Sequence, residues 1–168
     1  TNFDKKPNFI KKVKSLESTK KYFNESKSLS AIELKEFSLI YLLINNLELM
    51  RNNLHLIENI SLFTEVNKQI FSKIISKLKS TDSLDLKDLE IDEQLIEKIY
   101  KFAPIKYILG QKNKNEHEII GLLDDINRDL NSYNLELRIQ ELESKFSKDL
   151  SETTFNELKE LKKKQNIN

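Results

Sequence analysis

The side chains that most often carry out chemistry are few and scattered in this sequence. It has two histidines, His55 and His117, and no cysteine. Without cysteine, these 168 residues can form no disulfide and supply no thiolate metal ligand or cysteine nucleophile. His55 is a conceivable general base, but a packed or rim position is the more common role of a lone His on a helix. His117 lies between Glu116 and Glu118 at the start of a helical segment, where we expect solvent around it.

Two groups of aspartates have spacings that raise the question of a metal site. They are Asp124, Asp125 and Asp129 on a predicted helix, and Asp82, Asp85 and Asp88 in a polar segment. A bound cation needs oxygens that converge from more than one element, and the second group lacks the Gly and Glu of a calcium loop. The sequence also lacks a Gly-rich phosphate loop and the common hydrolase and metalloprotease motifs. We therefore expect no catalytic residue, no metal and no cofactor, and a binding module rather than an enzyme.

The composition favours an all-α, soluble protein of one domain or one domain with a small appendage. Hydrophobic residues make up 38% and charged residues 33% of 168 residues, with only two Gly and two Pro. No apolar stretch is long enough to span a bilayer, and the first residues are not a secretory signal, so we expect a cytoplasmic protein without membrane contact. The chain begins with Thr1 rather than Met, which is consistent with a piece of a longer protein.

The charge is uneven along the chain. Residues 1–30 hold eight Lys and three acidic residues, a net charge of +5, which leaves −4 for the remainder because the total is +1. We interpret residues 1–29 as a basic linker with one short helix around Pro7 to Phe23. Contact with nucleic acid through this segment is the weaker alternative, since only Tyr22 and Phe23 are available for stacking and Arg is absent there.

Capping signals and apolar spacing divide the next hundred residues into helices. Ser30 and Glu33 form a capping box, and the helix that follows to Ile44 is apolar nearly all round, so we expect it at the centre. Asn45-Asn46 should end it and cap a helix from Leu47 to Glu58. A stripe then predicts a helix from Thr64 to Lys79; its members are Val66, Ile70, Phe71, Ile74, Ile75 and Leu78. Asp92 should cap a further helix that Pro104 ends, followed by a short apolar segment, Ile105 to Leu109, that stops at Gly110.

A long helix with two opposed apolar faces begins at a second capping signature, Asn115 to Glu118, and extends to about Lys148. One face carries Ile119, Leu123, Ile126, Leu130, Tyr133 and Leu137, and the other carries Leu135, Ile139, Leu142 and Phe146. The first face should pack on the upstream bundle and the second on a final helix, about Glu152 to Gln165, capped by Ser151. Weak helix formers around Tyr133 leave a hinge there as a hypothesis.

These patterns predict a helical bundle followed by a long helix and a C-terminal helical hairpin. We place the bundle at residues 30–133 and the hairpin at residues 134–168. A short, projecting hairpin leaves apolar groups half covered and is a natural docking element for a partner. The residues expected to bind the partner are Phe146, Leu150, Phe155, Leu158, Leu161 and Lys162.

Three segments resemble the C-terminal domain of bacterial DnaG-type primases. The segment from Leu39 to Leu49 resembles the family's opening "L-L-x-L-L-L-x-[HN]-P-E-L", with Leu47 in place of the usual Pro. Phe63 followed by residues 67–71 is similar to "F-x-x-x-x-H/N-R-x-L-F". The ending, from Arg138 through Ser151 to Lys163, resembles "R-I-x-E-L-x-x-K … L-S-E-E-…-L-x-x-L-x-x". The resemblance covers roughly residues 31–168.

The resemblance implies a module that docks primase onto the N-terminal domains of the replicative hexameric helicase and so couples primer synthesis to DNA unwinding at the fork. The zinc-binding and polymerising domains of such a primase would lie upstream of Thr1, and this segment should not polymerise RNA. The N-terminal domain of the helicase itself shares the bundle fold and is one alternative. An unrelated helical protein–protein adapter is another.

Overall fold

The computed structural model describes residues 17–80, 91–110 and 114–165. Within these ranges the chain forms eight α-helices and one 3₁₀ turn, and no strand. The helices are α1 Glu17–Ser26, α2 Ala31–Ile44, α3 Leu47–Asn52, α4 Glu65–Lys79, α5 Glu93–Phe102, α6 Lys106–Leu109, α7 Glu116–Phe146 and α8 Glu152–Gln165; the 3₁₀ turn is Leu54–Leu56. The predicted all-α fold class is therefore confirmed. The predicted polar segment with Asp82, Asp85 and Asp88 lies outside the described residues.

Helix α2 lies at the centre of the bundle, as its nearly continuous apolar sequence predicts. The capping box forms: the Glu33 amide donates to Ser30 Oγ at 3.2 Å, and the Ser30 amide donates to Glu33 Oε2 at 2.8 Å. Residues 36–40 and 42–44 are buried, and α2 packs against α3, α4, α5 and α7. Each fully buried Leu or Ile contributes about 1.5–3 kcal/mol relative to an exposed one, so α2 is the main source of bundle stability.

A buried carboxylate fixes the start of α4 against α2. Glu36 is fully buried, and its carboxylate accepts hydrogen bonds from three donors: the Phe63 amide, the Thr64 amide at 3.1 Å and Asn67 Nδ2 at 2.7 Å. Thr64 precedes α4 but its hydroxyl makes no capping bond, so Glu36 from another helix satisfies amides at this terminus instead. The negative charge also lies at the positive end of the α4 dipole.

The first member of the stripe predicted for α4 is wrong. Val66 is exposed rather than buried, and the polar neighbour Asn67 occupies the interior position. Ile70, Ile74 and the other predicted members do face the core. Val66 was assigned from spacing alone, but the Glu36 carboxylate requires a hydrogen-bond donor at the first turn, and Asn67 supplies it.

The helix predicted from Leu47 to Glu58 is shorter in the structure. Helix α3 ends at Asn52, and the chain continues into the 3₁₀ turn. The side-chain amide of Asn53 donates to the Leu49 carbonyl at 2.9 Å, which satisfies an acceptor at the helix end without another turn of helix. Asn46 holds the predicted N-cap position of α3, but its side chain makes no capping bond there and instead donates to the Leu42 carbonyl of α2 at 2.8 Å.

Helix α1 continues to Ser26, three residues beyond the predicted end at Phe23, and residues 1–16 lie outside the description. It packs on α5, where the ring centroids of Tyr22 and Phe102 are 5.1 Å apart. Leu29, just after α1, is buried in the bundle core. The segment interpreted as a linker with one short helix, residues 1–29, therefore includes the described helix α1 and a residue of the bundle core, Leu29.

Helix α7 is a single helix of 31 residues, about 46 Å long. Its capping box forms, with the Glu118 amide 2.9 Å from Asn115 Oδ1. On α7 the buried residues of the bundle end at Leu130, and the separate apolar cluster that packs against α8 begins at Leu135. The buried members of the two predicted faces of α7 thus belong to two separate clusters. No helix in the described ranges is both long and apolar enough to cross a membrane.

Candidate partner-docking site

The hairpin turn is built from backbone hydrogen bonds that stop α7 and start α8. The amides of Ser147 and Asp149 donate to the Glu143 and Lys145 carbonyls at 3.0 and 2.9 Å, which satisfies the last acceptors of α7. The Phe155 amide donates to the Ser151 carbonyl at 3.0 Å, so Ser151 holds the cap position predicted for it. Its hydroxyl lies 2.6 Å from Thr153 Oγ1. This connection returns α8 alongside α7, the most extensive contact between two helices in the described residues.

A small apolar cluster holds α8 on α7. Ile139, Leu142 and Leu158 are buried in it, and the half-buried Leu135 and Leu161 pack against them. This cluster has three buried residues, far fewer than the core of the bundle. We therefore expect the hairpin to be less stable than the bundle.

Ion pairs across the two helices flank this cluster. Arg138 of α7 donates to Glu157 of α8 through Nη2 at 2.7 Å and Nε at 3.2 Å, and the hydrogen bond to Glu157 raises the pKa of Arg138. Lys162 Nζ lies 2.6 Å from Glu143 Oε1. Sequence reasoning missed Arg138 and Glu143 as partners of α8, although each is adjacent to a member of the second apolar face, Ile139 and Leu142, which was the available signal.

The turn end of the hairpin leaves apolar side chains in solvent; we call Phe146, Leu150 and Phe155 the hairpin tip. The rings of Phe146 and Phe155 lie with centroids 5.7 Å apart, at an interplanar angle of 38°. Phe146 is half-buried, but Phe155 remains 48% exposed and Leu150, in the connection between the helices, is 80% exposed. Apolar side chains as exposed as Leu150 and Phe155 contribute little to the fold and offer apolar area to a partner.

The six predicted docking residues therefore separate into two groups. Phe146, Leu150 and Phe155 form the tip. Leu158 and Leu161 belong to the cluster between the helices, and Lys162 is engaged with Glu143. A partner that approaches the hairpin from solvent meets the first group, whereas Leu158 acts by holding α8 in place.

Among the residues considered for chemistry, those that the structure describes are all exposed: His55, His117, Asp124, Asp125 and Asp129. His55 lies in the 3₁₀ turn and His117 in the first turn of α7, both exposed. Asp129 pairs with Lys35 of α2 at 2.8 Å, and Asp125 pairs with Arg128. Within residues 17–80, 91–110 and 114–165, no three His, Cys, Asp or Glu side chains are grouped closely enough to hold a metal ion.

Two open clefts lie between the end of α2 and the start of α7: one of about 360 Å³ beside the end of α6, and one of about 470 Å³ beside α3. Both are lined by Asn45, Asn46, Lys114 and Ile119. The amides of Asn45 and Asn46 donate to carbonyls of α2, so these side chains terminate a helix. The lining residues place no nucleophile beside a general base.

In comparisons with protein-family models, with curated proteins and with solved structures, no match to this chain was found.

Proposed function

We propose that this chain is the non-catalytic module that docks a bacterial primase onto the replicative hexameric helicase, with the hairpin tip as the point of contact. The observation that carries the proposal is the exposure of Leu150 and Phe155 at the end of a projecting pair of helices. The resemblance of three segments to the C-terminal domain of DnaG-type primases supports the identity of the partner. The proposal makes the module an adaptor that couples primer synthesis to unwinding.

The physical form of the hairpin supports docking through the tip rather than through its side. The cluster around Leu158 is closed by α8, and the ion pairs of Arg138 and Lys162 lie along its flanks. Exposed charge pairs of this kind contribute about 0–1 kcal/mol and set orientation more than affinity. The apolar side chains of the tip are desolvated only when a partner covers them. Residues of this kind usually contribute most of the binding free energy of an interface.

The test measures binding to the purified replicative helicase encoded in the same genome, by fluorescence anisotropy of the labelled chain. Leu150→Ala and Phe155→Ala should each weaken binding at least about tenfold, the effect of roughly 1.4 kcal/mol at a central contact. Val66→Ala is the matched control, because Val66 is another exposed apolar residue, on α4. Far-UV circular dichroism and hydrogen exchange of α8 establish that the hairpin stays folded in every variant.

Unchanged binding of both tip variants would exclude the tip as the docking site, and absence of binding by the wild-type chain would exclude the helicase as partner. The unrelated adapter remains as the interpretation in that second case. If the chain were instead the helicase's own N-terminal domain, it would bind primase and not helicase. A polymerase domain encoded upstream of Thr1 in the gene would favour the primase assignment over both alternatives.

A further inference from the structure

The stretch of α7 between the two apolar clusters contains no buried residue. The bundle core ends on α7 at Leu130, and the cluster that α8 covers extends back along α7 to Leu135. Residues 131–134 lie between them and are exposed or half-buried. Asn and Ser occupy three of these four positions, and both are poor helix formers in a helix interior. The continuity of α7 through this stretch therefore needs support from a neighbouring element.

An aromatic pair joins this stretch to the bundle. The rings of Phe63 and Tyr133 meet edge to face, with centroids 4.9 Å apart and an interplanar angle of 87°. This arrangement sets the positive edge of one ring against the negative face of the other, so the contact favours one relative orientation of the two side chains. Tyr133 belongs to neither apolar cluster, so the pair is a separate contact between α7 and the bundle.

Phe63 is itself held by the bundle. Its side chain packs against the bundle core, and the preceding residue, Leu62, is buried in that core. Its amide donates a hydrogen bond to the buried carboxylate of Glu36. The backbone at Phe63 is therefore fixed by a residue of the central helix α2, and the ring offers Tyr133 a surface whose position is set by the bundle.

We infer that the Phe63–Tyr133 contact fixes the direction in which the hairpin leaves the bundle, and that α7 bends at residues 131–134 when this contact is lost. Tyr133 is thus a positioning residue for the hairpin tip. The distance along α7 from Tyr133 to its last residue, Phe146, is about 20 Å at 1.5 Å per residue. A bend of about 20°, the lower limit of a sharp kink, would therefore displace the end of α7 by about 7 Å.

The experiment measures the distance between two spin labels by double electron–electron resonance. The chain has no Cys, so Gln69→Cys on α4 and Asn156→Cys on α8, both exposed positions, place one label on the bundle and one on the hairpin. Tyr133→Ala and Phe63→Ala should each broaden this distance distribution at least about twofold, because a swing of about 20° moves the α8 label by about 6 Å. Tyr133→Phe keeps the ring and should give the wild-type distribution.

Two further variants separate the aromatic pair from a general loss of apolar contact. Leu137→Ala is the matched control, because Leu137 is also half-buried on this face of α7, one turn from Tyr133, and belongs to neither cluster. It should leave the distribution unchanged. Asn131→Ala with Asn134→Ala, added to Tyr133→Ala, should restore the narrow distribution, because better helix formers keep α7 straight without the aromatic pair.

A wild-type distribution in both Tyr133→Ala and Phe63→Ala would overturn the inference, and so would equal broadening in Leu137→Ala. Failure of the two Asn replacements to restore the distribution would exclude residues 131–134 as the position of the bend. A second pair of labels within the bundle, at the exposed positions Gln69 and Asp124, reports whether the bundle stays intact. If Phe63→Ala broadens that pair too, Tyr133→Ala decides alone; broadening of that pair in Tyr133→Ala would also overturn the inference.

The consequence for docking rests on the proposed function. If the helicase binds the hairpin in the direction that the aromatic pair holds, Tyr133→Ala should weaken binding in proportion to the fraction of molecules that lose this direction. The two Asn replacements should then restore the affinity. The distance measurement needs no helicase, so unchanged binding beside a broadened distribution would place the failure in the proposed function and not in the aromatic pair.

Discussion

The buried carboxylate of Glu36 gives the sharpest test of the architecture, because three donors depend on one side chain. In Glu36→Ala, Asn67 Nδ2 and the amides of Phe63 and Thr64 lose their acceptor. A buried donor left unsatisfied costs about 1–3 kcal/mol, and water can reach the half-buried Phe63 and Thr64 more easily than Asn67. We expect the free energy of unfolding to fall by about 3–5 kcal/mol, a large part of the stability of a domain of this size.

Two further variants separate the contributions. Glu36→Gln keeps one acceptor oxygen but turns an amide towards a donor, so we expect a loss of about 1–3 kcal/mol. Asn67→Ala should cost a similar amount, since it removes the donor that lies 2.7 Å from Glu36 Oε2. Once Glu36 is already Ala, the effect of Asn67→Ala should be smaller by about 1 kcal/mol or more, because the two residues share one interaction.

Urea unfolding monitored by far-UV circular dichroism measures these differences at fixed pH. Glu65→Ala is the control. Glu65 is an exposed acidic residue in the first turn of α4, the helix that carries Asn67, and its loss should change the free energy of unfolding by about 0.5 kcal/mol or less. A loss below about 1 kcal/mol for Glu36→Ala, or strict additivity with Asn67→Ala, would refute the assigned role of Glu36.

Three other predictions concern local stability. The hydrogen bond from the Ser30 amide lowers the pKa of Glu33. The stabilisation by the ionised Glu33 is therefore present above its ordinary pKa of 4.5 and is lost as the pH falls through the lowered pKa. Glu33→Gln should cost about 0.5–2 kcal/mol at neutral pH and almost nothing in strong acid, as measured by urea unfolding at a series of pH values. Leu158→Ala should destabilise the hairpin by about 2–4 kcal/mol. Hydrogen exchange should then accelerate in α8 and stay unchanged in α2. Equal acceleration in both helices would contradict the division of the apolar residues into two separate clusters. Gly121→Ala should raise stability by about 0.5–1 kcal/mol, because nothing lies within 4 Å of an added Cβ in this helix, and a loss on thermal unfolding would contradict the open site.

Local signals were the most informative part of the sequence. The caps at Ser30, Asp92 and Asn115 all form, because a capping bond involves only neighbouring residues and depends little on the rest of the fold. Helix α8 has the bounds that its stripe predicts, and the two faces of α7 follow from simple counting.

Features that depend on distant contacts could not be predicted in the same way. Glu36 is an acidic residue, and sequence patterns place acidic residues in solvent. Helix α2 is apolar on nearly every side, however, and Glu36 is fully buried among its neighbours. The burial of Asn67 in place of Val66 follows from Glu36 and is invisible without it. The return of α8 along α7 was predicted, but which of the six docking residues it buries was not: Leu158 lies between the helices and Leu150 remains exposed.

The continuity of α7 makes the direction in which the hairpin tip points a matter of helical phase. Leu130, the last buried bundle contact on α7, and Ile139 in the hairpin are nine residues apart, which places them about half a revolution from each other. One residue inserted between them would turn the tip by about 100° about the helix axis while it moved outward by only about 1.5 Å. Seven inserted residues would restore the direction to within about 20° and extend the reach by about 10 Å. The number of residues between Leu130 and Ile139 thus sets both the direction of the hairpin tip and its distance from the bundle, and insertions of different length change the two separately.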